Sequence, residues 1–94
     1  MRRVFADTAY WIALFNVRDG LHDAAKNAQQ ALGKAVLVTT DEVLVEFLAD
    51  FGGRGEHMRA LAARVVRGLL TRKDVTVLAQ SRQSFLSGLA FYEA

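Results

Sequence analysis

Residues 36–51 read VLVTTDEVLVEFLADF, and this segment changes period in the middle. Val36, Leu37 and Val38 form a short β-branched run that suits a buried strand better than a helix. Thr39 and Glu42 then have the spacing of a capping box, so a helix is expected to begin there. Val43, Leu44, Phe47, Leu48 and Phe51 recur as one apolar stripe along it. Gly52 and Gly53 end it.

The same switch occurs on both sides of this segment. Upstream, Val4-Phe5-Ala6 reads as a buried strand, and Asp7-Thr8 follow at once. Tyr10, Trp11, Leu14 and Phe15 fall at helical spacing within Ala9 to Phe15, with Asp7 or Thr8 placed to cap the helix. After a turn over Asn16 to Gly20, the Ala- and Gln-rich stretch His22 to Leu32 favours helix and Gly33 stops it. Downstream, Glu56 to Lys73 is an amphipathic helix. Leu61, Val65 and Leu69 lie on one side of it, and Arg59, Arg64, Arg67, Arg72 and Lys73 form a basic edge. Val75 to Leu78 is a third strand, and Ser81 to Ala94 a last helix capped near Ser81.

Short apolar strands alternating with helices imply an α/β fold with a parallel sheet. Such sheets place function at the C-terminal ends of their strands. Those ends are Asp7-Thr8, Thr39-Thr40-Asp41 and Ala79-Gln80-Ser81.

Composition narrows the function classes. The 94 residues allow one domain, and 52% hydrophobic content with a net charge of +2 excludes a disordered chain. The longest apolar run, Ala9 to Phe15, falls far short of the ~20 residues of a membrane span. Arg2 and Arg3 resemble the start of a secretory signal, but Asp7 interrupts the apolar run behind them. The absence of Cys excludes disulfides, thiolate metal sites and Cys nucleophiles, and is compatible with a reducing cytoplasm. With 12 Lys and Arg against 10 Asp and Glu, the mildly basic balance permits nucleic-acid binding without arguing for it.

Two carboxylates stand out. Asp7 directly follows a strand, where it either caps the next helix or faces the functional edge. Glu46 is the only polar residue between Val43 and Ala49, a run expected to be largely buried. A carboxylate there needs a partner or a cation, unless it lies on the exposed side between apolar stripes. Asp41 and Glu42 flank the same edge. Both suit the first turn of a helix, Asp41 as a weak ligand candidate and Glu42 as part of the capping box. His22 and His57 have no metal-ligand spacing. His22 reads as a turn or helix-start residue. Gly52-Gly53-Arg54-Gly55 follows a helix rather than a strand, which makes it a helix-ending turn and not a phosphate loop. Trp11 and the phenylalanines at 5, 15, 47 and 51 read as core.

Taken in order, these pieces resemble a known family. Val4-Phe5-Ala6-Asp7-Thr8 followed by Ala9 to Phe15 resembles the opening of PIN-domain proteins. Asn16 to His22 is similar to the loop that follows there. Leu37 to Thr40 and Glu46-Phe47-Leu48 are similar to the second strand and third helix, with VapC-like toxins nearest in pattern. The resemblance implies a three-layer α/β/α fold with a short parallel sheet. It also implies an endoribonuclease that uses Mg²⁺ or Mn²⁺, with Asp7 and Glu46 as catalytic metal ligands. Thr8 or Thr40 would then hydrogen-bond a carboxylate from behind. RNA is the implied substrate, a cognate antitoxin protein the implied partner, and no membrane is involved. The family's third and fourth acids and its remaining strands follow the last helix, so residues 1–94 read as the N-terminal portion of a PIN domain. Val4 to Ala6 would then be an open sheet edge, which a homodimer could cover. The alternative is a non-catalytic α/β binding or dimerisation module of the same fold, with Glu46 simply solvated. A phosphate-accepting response-regulator-like domain fits less well, because later strand ends lack the further Asp and Lys it needs.

Overall fold

The computed structural model describes residues 2–94, leaving aside the side chains at positions 87, 88 and 91. The elements run β1 (Arg3–Phe5), α1 (Thr8–Phe15), α2 (His22–Leu32), β2 (Val36–Thr40), α3 (Asp41–Gly52), α4 (Glu56–Thr71), β3 (Val75–Leu78) and α5 (Arg82–Glu93). The strands form one parallel sheet in the order β1-β2-β3. Val4 pairs with Leu37, and Leu37 with Val75, so β2 is central. Each crossover carries helices, as parallel pairing requires.

Helix starts follow the local chemistry. Asp7 caps α1 by accepting from the Tyr10 amide at 2.8 Å. Ser81 caps α5 in a reciprocal box with Ser84, both bonds at 3.0 Å. At α3 the sequence expectation is off by one residue. Thr40, not Thr39, is the cap, accepting from the Val43 amide at 3.2 Å. Thr39 remains in β2 and is fully buried, so the expected Thr39–Glu42 box does not exist. Gly33 ends α2 with φ +59° and Gly55 precedes α4 with φ +100°, backbone that side-chain-bearing residues rarely adopt. His22 opens α2 and donates from Nδ1 to the Ala13 carbonyl at 2.7 Å, tying α2 to α1.

The core is an aromatic file. Trp11 stacks near Phe15 (6.3 Å between centroids), Phe15 meets Phe47 edge-on (6.2 Å), and Phe47 lies against Phe51 (4.5 Å). Trp11, Phe47 and Phe51 are wholly excluded from solvent, and Leu69 nearly so. This file joins α1 to α3, while Ala62 and Leu69 bring in α4.

Two burial expectations fail. Phe5 is 59% exposed, because it lies on the outward side of an edge strand while Val4 points inward. The run around Glu46 is not largely buried either: Val45 (61%), Glu46 and Leu48 all meet solvent, while Leu44 and Phe47 are buried and Val43 is half-buried against the core. A 12-residue helix packed on one side exposes the other whatever its hydrophobicity.

The turn from α4 into β3 is held by a bidentate pair. Arg72 Nε and Nη2 donate to the two Asp74 oxygens at 2.9 and 2.6 Å. Those bonds hold the Asp74 carboxyl below its ordinary range. A carboxyl lowered in this way stabilises the fold above its unfolded value of about 3.9, and the benefit disappears as pH falls through the lower folded value. Both side chains are about half exposed, so the contribution is at most about 1 kcal/mol. Asp74→Asn should therefore lower the melting temperature by only a few degrees at pH 7, and thermal scans of the two proteins should converge as pH falls through the lowered folded value.

Candidate functional site

All three strands end on one edge of the sheet, and each passes almost directly into a capped helix. Asp7 follows β1, Thr40 closes β2, and Ser81 follows β3. Three helix N-termini therefore lie along that edge, with their backbone N–H groups and positive dipole ends. Neighbouring strands are about 4.8 Å apart, so the edge is roughly 10 Å wide.

Asp7 is exposed and doubly placed. Its Oδ1 is occupied by the Tyr10 amide; among the described residues no hydrogen bond reaches Oδ2. A carboxylate has about four acceptor positions, so capping does not exhaust it. The two readings of Asp7, cap and outward-facing acid, are thus compatible in one side chain.

Glu46 lies six residues past the Thr40 cap, about 9 Å along the helix. Its Oε2 accepts from the Thr8 hydroxyl at 3.3 Å, across 38 positions of sequence. Thr8 is the chain neighbour of Asp7, so this contact brings Glu46 to the β1–α1 junction. Of the two threonines expected behind a carboxylate, Thr8 takes that place. Thr40 instead caps α3.

Asp41 is tied elsewhere. Its Oδ2 accepts from the Gln80 amide at 3.1 Å, fastening the start of α3 to the turn after β3. Glu42 loses its capping-box role and remains a first-turn acid that complements the helix dipole. Among the described residues no three His, Cys, Asp or Glu side chains gather to hold an ion.

Three features were not read from the sequence. Thr39 links Trp11 to the Ala6 carbonyl beneath the edge; local pattern gave no sign of it, since a buried threonine and a cap threonine look alike. A cavity of about 570 Å³ lies between the end of α1 and the start of α4, with Phe15, Met58 and Leu61 in its wall and Arg18, Arg54 and His57 around it. A second hollow, about 590 Å³, lies over Asp41, Gln80, Ser81, Arg82 and Phe85 at the C-terminal edge of the sheet.

No family model and no curated protein matches this sequence. Among solved structures, the chain is similar to Mycobacterium tuberculosis VapC20, described as a sarcin-ricin loop cleaving toxin. The TM-score is 0.76 at 24% identity, over 95% of this chain and 65% of that one. The fold is PIN-like. The chain spans about 65% of the length of the structure it matches. That likeness takes in the parallel three-stranded sheet and its helical crossovers. Among the described residues no helix is long and apolar enough to cross a membrane.

Proposed function

We propose that this chain carries the catalytic edge of a metal-dependent endoribonuclease of the PIN-domain toxin type, with Asp7 and Glu46 as the carboxylates that hold Mg²⁺ or Mn²⁺. The observation that carries the reading is the Thr8–Glu46 bond, which ties Glu46 to the residue that follows Asp7. Likeness to a toxin that cleaves the sarcin-ricin loop supports RNA as the substrate class.

The donor set suits Mg²⁺. That ion keeps several waters and is commonly held by one or two carboxylates, with substrate phosphate oxygens completing its shell. Asp7 offers Oδ2, and Glu46 offers the carboxylate steadied by Thr8. A bound divalent ion supplies Lewis acidity, making water a stronger nucleophile near neutral pH and offsetting charge on the scissile phosphate. The residues do the rest. Asp7 and Glu46 provide fixed negative charge, Thr8 orients Glu46, and the helix N-termini favour an approaching phosphate. An antitoxin protein as inhibitor, a homodimer across the open β1 edge, and a cytoplasmic setting belong to the same reading.

Thermal unfolding with Mg²⁺ or Mn²⁺, beside an RNA cleavage assay, tests it. At about ten times the dissociation constant, an ion that binds only the folded chain should raise the melting temperature by roughly 5–10 °C. Glu46→Gln should remove that gain while leaving the metal-free melting temperature nearly unchanged, because Glu46 is exposed. A gain that survives Glu46→Gln would place the ion elsewhere.

One observation favours a second reading. Among the described residues no three acids gather at the edge. A non-catalytic binding or dimerisation module of the same fold would show neither the thermal gain nor cleavage.

A further inference from the structure

We propose that Thr39 is a positioning residue for Asp7: its hydroxyl locks the peptide unit joining Ala6 to Asp7, and so sets where the Asp7 carboxylate leaves the sheet. The inference deepens the ion-holding reading of Asp7 and rests on it.

Thr39 lies on the central strand with 0% exposure. A buried hydroxyl is costly unless both its roles are met. Here they are. It donates to the Ala6 carbonyl at 3.0 Å and accepts from Trp11 Nε1 at 3.2 Å. The Ala6 amide donates to the Val38 carbonyl at 2.8 Å. The β1–β2 ladder therefore takes the Ala6 N–H but leaves the Ala6 carbonyl to a side chain. Ala6 is held on both its polar groups, and Asp7 begins from a fixed plane although its own side chain is exposed.

An apolar strand residue such as valine would fill the same space. It would leave both the Ala6 carbonyl and the indole N–H without partners. If the hydroxyl served only the indole, a phenylalanine at position 11 would make it dispensable. Its second bond, to Ala6, is the one that reaches the site. The two functions can therefore be separated by mutation.

The test compares wild type with Thr39→Ser, Thr39→Val and Trp11→Phe. The first readout is the Tyr10 amide proton by NMR, whose shift reports its bond to Asp7 Oδ1. The second is Mn²⁺ affinity by electron paramagnetic resonance, with Asp7→Asn as reference. Trp11→Phe should melt at lower temperature yet bind Mn²⁺ within about twofold of wild type, because the Thr39–Ala6 bond survives. Thr39→Ser should match wild type in both. Thr39→Val should move the Tyr10 resonance and weaken Mn²⁺ binding by about 10–100-fold, as loss of an outer partner typically does. Should Thr39→Val not fold, Thr39→Cys takes its place, as a side chain of similar size and weaker hydrogen bonding, with an intermediate loss expected. An unchanged Tyr10 resonance in the valine or cysteine variant overturns the proposal and leaves Thr39 as a core residue. Absence of Asp7-dependent Mn²⁺ binding in wild type overturns the ion reading instead, and the Tyr10 resonance then still decides whether Thr39 places Asp7.

Discussion

Asp7→Asn is expected to reduce metal-dependent RNA cleavage by at least about a hundredfold while leaving the fold almost untouched. Two roles meet in this side chain, and the substitution separates them. Asparagine caps helices about as well as aspartate, and its side-chain oxygen can accept from the Tyr10 amide as Oδ1 does now. The cost in stability should therefore stay within about 0.5 kcal/mol. The negative charge and the anionic Oδ2 are lost, and these are what a hard divalent cation requires. Losing an outer-shell partner alone commonly costs 10–100-fold, so losing a direct ligand should cost more. Asp7→Ala removes both roles and should add a stability loss of about 1 kcal/mol to the loss of activity. The measurement is single-turnover cleavage of a structured RNA with Mn²⁺, next to thermal melts of all three proteins. An asparagine variant that cuts within threefold of wild type would show that Asp7 is a cap and nothing more. No cleavage by wild type either would favour the binding-module reading.

The contrast between sequence and structure follows a physical line. Element order and type were readable because each strand-to-helix switch changes the apolar period and because Gly33, Gly52 and Gly53 end helices. What escaped was decided by partners far away in the chain. Thr39 and Thr40 are chemically the same, and a Glu three residues after Thr39 made it look like the cap. The indole of Trp11, 28 positions earlier, holds Thr39 in the strand instead. Glu46 stands out in the sequence because its neighbours are apolar, yet Val45 and Leu48 are exposed. Burial of the run is therefore not what sets Glu46 apart. Its place at the edge comes from Thr8, and the sequence could offer Thr8 only as one of two candidates. Phe5 reads as core in the sequence yet is exposed, because burial of a strand residue depends on whether another element covers that face, which a local pattern does not contain.

Phe47→Ala should be the most damaging single substitution in the core. Phe47 is fully buried and touches the ring of Phe15 on one side and Phe51 on the other. Phenylalanine-to-alanine changes at such positions cost about 3–5 kcal/mol, through lost burial and the cavity left behind. A domain of this size holds roughly 5–14 kcal/mol in all. The melting temperature should accordingly fall by roughly 15–30 °C. Urea denaturation should show an earlier midpoint with an unchanged slope if the native state keeps its shape. Phe47→Leu retains most of the volume and should cost far less. Leu70→Ala, at a position 57% exposed, should fall within about 0.5 kcal/mol of wild type. A cost below about 1.5 kcal/mol for Phe47→Ala would contradict the aromatic file as the link between α1 and α3. The consequence reaches the site as well. Glu46 is the next residue along the same helix, and its bond to Thr8 exists only while α3 stays against α1. Folded Phe47→Ala protein should therefore gain less thermal stability from Mn²⁺ than Phe47→Leu does, although neither substitution touches a carboxylate.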